Sequence, residues 1–317
     1  MSKETTKVVY IMGWGRSGST ILDNVLGSVD GFFSAGELVH LWKRGLIEGR
    51  RCGCGKLIND CEVWSKVLGP QFGDASPAHG DPRTIVSYQK QAVRMRHTPR
   101  ILGHMPGRLS QSSPLAGYAS VIQELYVATA ETTDARVVVD SSKEPAGAAV
   151  LRFLPEVTPF YVHLVRDPRA VAYSWGRAKL QLDRDSPMEM VKHSAFNSTV
   201  SWTAWNLAAE AVRRRHSSAR SLLLRYEDFV ADPPGALRRI TSLVGEEKAQ
   251  LPFVDEHTVR LRPNHTVSGN PSRFATGTVE LRKDNDWLAQ QDPVDRLVCT
   301  GLALPLLARY GYPLRPR

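Results

Sequence analysis

Residues 13–20, GWGRSGST, set Gly13, Gly15 and Gly18 among one arginine and three hydroxyl side chains: Arg16, Ser17, Ser19 and Thr20. Glycine lets main chain approach a ligand closely, and the N–H groups that open a helix attract negative charge. Such a turn suits a phosphate-like anion. Its outline is GxxxxGK[ST] through Gly13, Gly18 and Thr20, but Ser19 stands where a lysine would reach the β- and γ-phosphates of a triphosphate. A second set of the same chemistry lies at LVRDPRAVAYSW, residues 164–175. Asp167 can cap a helix, Pro168 suits its first turn, and Ser174 follows one to two turns later. Arg166, just before the cap, can grip two phosphate oxygens at once. On residues alone, RDPR equally fits a capped helix with an exposed salt bridge.

Both sets need a frame that carries them to one place. Short β-branched runs at 8–13, 136–143, 160–167 and 221–228 each end in polar residues and are followed by helical patterns. Continuous apolar strands alternating with helices predict a parallel sheet covered on both faces. Right-handed crossovers then bring the strand C-termini to one edge, where open α/β sheets bind ligands. The first helix is predicted over 20–28, a basic one over 84–96, a long one ending near 216 and a last one over 293–309. Residues 69–117, rich in Pro, Gly, Ser and His, and the mixed-charge stretch 181–198 read as insertions that wall or cover the site.

Composition narrows the partners. The chain has 317 residues and a formal charge of +9, but its 41 basic residues are interleaved with 32 acidic ones. A small polyanionic ligand fits this better than nucleic acid, since no basic stripe interleaved with aromatics is present. Arg94, Arg96, His97, Arg100, His104 and Arg108 either attract an acidic acceptor or form a solvated basic face. No apolar stretch approaches the roughly 20 residues that span a bilayer, and residues 1–7 lack a signal-peptide core, so a soluble cytoplasmic protein is expected. Cys52, Cys54 and Cys61 lie in C-x-C-x6-C spacing, with Cys299 far away. Three thiols without the paired CxxC spacing supply only three ligands, so no metal is expected and the cluster reads as a structural loop with reduced or partly bridged cysteines.

Taken in order, these stretches make the chain resemble the sulfotransferases that use 3′-phosphoadenosine 5′-phosphosulfate (PAPS). GRSGST is similar to their 5′-phosphosulfate loop and VRDPRAVAYS to their 3′-phosphate motif. AGE (35–37), DSSKEP (140–145), RYEDF (225–229) and GNPSRF (269–274) are similar to further family landmarks. The likeness is to the carbohydrate, protein-tyrosine and bacterial branches, whose loop carries arginine. It implies an α/β fold with a P-loop-like central parallel β-sheet, helical and loop insertions on the acceptor side, and one sulfotransferase domain over 1–317. PAPS lacks a γ-phosphate and is used in this family without Mg²⁺, which accounts for the absent lysine. The resemblance further implies that Arg16, Ser17, Gly18, Ser19 and Thr20 hold the phosphosulfate end and Arg166 and Ser174 the 3′-phosphate. Arg273 would join the second group, with Tyr226 near the nucleotide. Arg16 and Lys143 would stabilise the leaving oxygen, and Glu37 would be the base, with His40 as its substitute. The acceptor would be a hydroxyl of a small molecule, carbohydrate or lipid. The alternative, a P-loop kinase-like nucleotide phosphotransferase, calls for GK[ST] and a metal-binding carboxylate after an apolar strand.

Overall fold

The computed structural model describes residues 5–73, 81–184, 186, 188–216 and 218–315. Strand β1 (Thr6–Met12) runs through the middle of a sheet, and its last five residues are buried. Val8, Tyr10 and Met12 enter one hydrophobic cluster and Val9 and Ile11 another, as a strand with a side-chain period of two must do when both faces are covered. β1 pairs in parallel with β3 (Val137–Lys143) and β4 (Val157–Val165). β2 (Phe32–Gly36) lies outside β3, again parallel. Two short antiparallel pieces, β5 (Leu180–Gln181) and β6 (Met188–Glu189), precede β7 (Ser221–Arg225), which closes the other side of the sheet against β4. The order β2-β3-β1-β4-β7 makes a five-stranded parallel sheet. A last antiparallel pair joins β8 (Thr258–Leu261) to β9 (Gly277–Glu280).

The helices cover both faces. The first crossover carries α1 (Ser19–Leu26). A helical block follows, made of α2 (Trp64–Gly73), α3 (Pro82–Ala92), α4 (Thr98–Gly103) and α5 (Pro114–Thr133), with α6 (Pro145–Val150) after β3. α7 (Pro168–Gly176) follows β4, and α8 (Ala195–Arg215) packs against it. α9 (Tyr226–Ala231), α10 (Pro233–Leu243), α11 (Asp286–Gln290) and α12 (Pro293–Arg309) complete the chain. Among the described residues no helix is long and apolar enough to cross a membrane.

The predicted strands and helices recur with shifted ends; in the five-stranded sheet pattern reading passes over β2, and outside it the short antiparallel pairs β5–β6 and β8–β9. Its five residues, FFSAG, follow Gly31 and end in Gly36, and Ser34, Ala35 and Gly36 leave only two large apolar residues to mark a strand. The basic helix predicted over 84–96 stops at Ala92 and resumes as α4, because a short 3₁₀ turn at 95–97 redirects the chain. The part of the 69–117 stretch that spans 74–80, with Asp185 and Pro187 of 181–198, lies outside the described residues.

Candidate functional site

The site grows out of the C-terminal edge of the sheet. After β1 the chain passes Gly13 and reaches Gly18 at the N-cap of α1, at φ 87°. A Cβ on Gly18 would stand 2.4 Å from the Tyr226 ring, so an L side chain is excluded by both conformation and space. No side chain caps α1, which leaves its first-turn N–H groups for an anion. Arg16 sits at φ 68° with its guanidinium over the Trp175 ring, 4.8 Å from the centroid. Its Nη2 touches the Met190 sulfur, while its buried Nε has no partner. The Ser17 hydroxyl is likewise buried without a partner. Buried donors without a protein partner beside a glycine turn suit an anion site.

Arg166 follows β4 directly and is 5% exposed. Its guanidinium lies 4.5 Å over the Tyr226 ring, donates to the Arg16 carbonyl at 3.2 Å and reaches the Asp284 carboxylate at 3.0 Å. Asp167 caps α7, as its position before Pro168 predicts. The second arginine of RDPR has a different task. Arg169 pairs with Asp167 and donates to the carbonyls of Pro313 and Leu314, which ties down the end of the chain.

On the other side of β1, Glu37 directly follows β2 and Lys143 ends β3. Lys143 Nζ donates to Glu37 Oε1, and His40 Nε2 lies 3.4 Å from Oε2. Burial pushes the Glu37 carboxyl up, but the Lys143 ammonium, His40 and Arg44 outweigh it and hold it down to about 2. Burial and the Arg44 charge push His40 down to about 3, so its imidazole is neutral near pH 7. Next to Lys143, burial raises the Glu144 carboxyl to about 7 against the pull of that ammonium.

These elements enclose one cavity of about 390 Å³. It is lined by Arg16, Gly18, Ser19 and Thr20 from the loop, by Arg166, Ser174 and Tyr226 from the far side, and by Glu37, His40 and Lys143. Ser17 is buried beside it and does not line it. Arg273, expected at the second anion site, does not reach it either. Its guanidinium is turned back onto the carbonyls of Thr266, at 2.5 Å, and Arg51, at 2.6 Å, facing Asp183. A buried guanidinium needs acceptors, and here main chain supplies them.

Sequence reading missed Trp14, Trp205, Glu144, Lys179 and Asp284, all of which line the cavity. Glu144 could have been found, since it follows Lys143 at a strand end; Trp205 and Asp284 carry no local signal. His40, Glu144 and Trp205 also line a neighbouring groove of about 950 Å³. Val86, Val93, Met95, Leu102 and Ala208 give it an apolar floor, and Lys43, Lys90, Arg94 and Arg96 a basic rim. This groove is built from α3 and α4, both within the stretch 69–117 read as an insertion, together with α8.

Residues 70–250 match a family described as the sulfotransferase family. Among solved structures, the sulfotransferase domain from the curacin biosynthetic pathway is 18% identical, covers 99% of this chain and 100% of its own, and superposes at a TM-score of 0.51. The sulfotransferase domain from the Synechococcus PCC 7002 olefin synthase is 19% identical over 99% of this chain and 98% of its own, also at 0.51. At such identities the likeness is one of fold. No curated protein matches the sequence.

Proposed function

Since this chain belongs to the sulfotransferase family, we propose that it moves a sulfuryl group from PAPS to the hydroxyl of an acceptor with an apolar body, giving PAP and a sulfate ester. One observation carries this reading: two cation-and-hydroxyl sets far apart in sequence, Arg16 with Ser19 and Arg166 with Ser174, line a single cavity. A nucleotide with an anion at each of two positions needs two such cradles.

Bound PAPS supplies the sulfuryl group, and the residues divide the remaining work. The loop from Arg16 to Thr20 takes the 5′ end, with Arg16, Gly18, Ser19 and Thr20 lining the cavity there. Arg166 and Ser174 take the 3′-phosphate, and Tyr226 orders the Arg166 plane beneath it. The acceptor oxygen attacks sulfur as the bond from sulfur to the 5′-phosphate oxygen breaks. Arg16 and Lys143 face the charge that gathers on the departing oxygen, an interaction stronger in the transition state than before it. Glu37 receives the acceptor proton once Lys143 turns from it to that oxygen. The acceptor's body lies in the apolar groove, because His40, Glu144 and Trp205 are common to both spaces. Residues 1–317 act as one sulfotransferase domain in this reading.

Two measurements test it. PAP should raise the melting temperature without Mg²⁺, whereas ATP should not. Purified protein should then transfer labelled sulfate from PAPS to long-chain or aromatic alcohols in preference to free sugars. Stabilisation by ATP with Mg²⁺ and none by PAP would overturn the proposal.

A further inference from the structure

The fold adds a fourth partner to the three clustered thiols. Sγ of Cys52, Cys54 and Cys61 and a ring nitrogen of His265 all lie within 4.8 Å of one another. His265 comes from 204 residues beyond Cys61, and its Nδ1 is 3.2 Å from the Cys61 sulfur. We propose that Cys52, Cys54, Cys61 and His265 form a closed tetrahedral site for one structural zinc ion.

Donors at about 2.3 Å for sulfur and about 2.0 Å for nitrogen leave tetrahedron edges of roughly 3.5–3.8 Å. The observed spread closes to that with shifts of under about 1 Å. Three thiolates and one imidazole are a zinc set by softness and number, and four protein ligands leave no position open for a substrate. The supports around the ligands are also in place. Cys52 and Cys61 are fully buried, and Cys54 sits on a turn in which the Gly55 N–H donates to the Cys52 carbonyl and Gly55 takes φ 85°. Trp64 Nε1 fixes the His265 carbonyl at 2.6 Å. The other ring nitrogen of His265 faces the Glu62 carboxylate at 3.7 Å, where metal-bound histidines carry an orienting acceptor.

The ion would join the loop after Gly49 to the strap 264–270. That strap is bonded to the catalytic edge, since the Glu37 N–H donates to the Val267 carbonyl and Arg44 donates to the Ser268 hydroxyl. The same strap brings Gly269 and Asn270 to the cavity wall. Zinc here would thus hold the backbone behind Glu37 without touching the reaction.

Full-length protein purified under reducing, anaerobic conditions should carry about one zinc per chain by mass spectrometry, and cobalt(II) in its place should give the visible bands and thiolate charge transfer of a tetrahedral sulfur-rich site. Cys61→Ser and His265→Ala should lose the metal. Cys299→Ser should keep it, because that thiol is buried elsewhere against Thr199. Should Cys61→Ser not fold, the wild type decides: a strong chelator should lower its melting temperature, and zinc should restore it. Protein free of metal that shows four titratable thiols and no response to chelator or zinc would overturn the site, as would a Cys52–Cys61 disulfide in the same preparation.

Discussion

The Lys143 ammonium and the Glu37 carboxylate, 106 residues apart, are hydrogen-bonded to each other at the ends of the neighbouring strands β3 and β2. Each is thereby held by the other until a ligand separates them. A carboxylate kept this acidic is a poor proton acceptor, and an ammonium so engaged cannot attend a leaving group. Ligand binding that draws Lys143 toward the donor would release both at once.

Glu37→Gln is therefore expected to lower kcat by roughly 10²- to 10⁴-fold and to leave PAP affinity within a few-fold. Parallel assays of His40→Gln and Glu144→Gln decide among the three neighbours. Unchanged turnover in Glu37→Gln, with loss in one of the others, would transfer the role to that residue.

Lys143→Ala should slow turnover and also displace the acid limb of the pH profile. Burial raises the Glu37 carboxyl and Lys143 is foremost among the groups that lower it, to about 2. A depressed carboxyl stays ionised as pH falls to that value, so the wild-type limb for kcat/KM lies below the accessible range. Without the ammonium the carboxyl rises and the limb moves to higher pH. Titration of kcat/KM in both proteins checks it; coincident acid limbs would refute the coupling.

Arg166→Ala should weaken PAP by about 10- to 100-fold, the worth of roughly 1.5–3 kcal/mol for a hydrogen bond to a charged group. Asp284 occupies the same guanidinium in the free protein. Asp284→Asn should accordingly tighten PAP by a few-fold, read by calorimetry at fixed salt. PAP bound equally well by Arg166→Ala and wild type would show that the phosphate is held elsewhere.

Ala208→Glu puts a carboxylate on the half-buried face of α8 that floors the groove. Burying that charge against an apolar acceptor is unfavourable, so acceptor KM should rise at least tenfold while PAP affinity holds. An unaltered acceptor KM would place the acceptor outside the groove.

Much of the frame was legible in local chemistry. The apolar runs that became β1, β3, β4 and β7 announce a parallel sheet, because a strand buried on both faces has no polar side to show. Gly18 and Asp167 announce their turns, because φ 87° suits glycine and a carboxylate before proline suits a helix start. These signals are carried by each residue and its immediate neighbours. What the tertiary structure alone decided is which distant groups meet. It carried Glu37 to Lys143 by pairing β2 with β3, set Asp284 on Arg166, turned Arg273 away onto main-chain carbonyls, and brought His265 to the cysteine loop. Those pairings depend on strand order and on long connections, which leave no periodicity in the sequence.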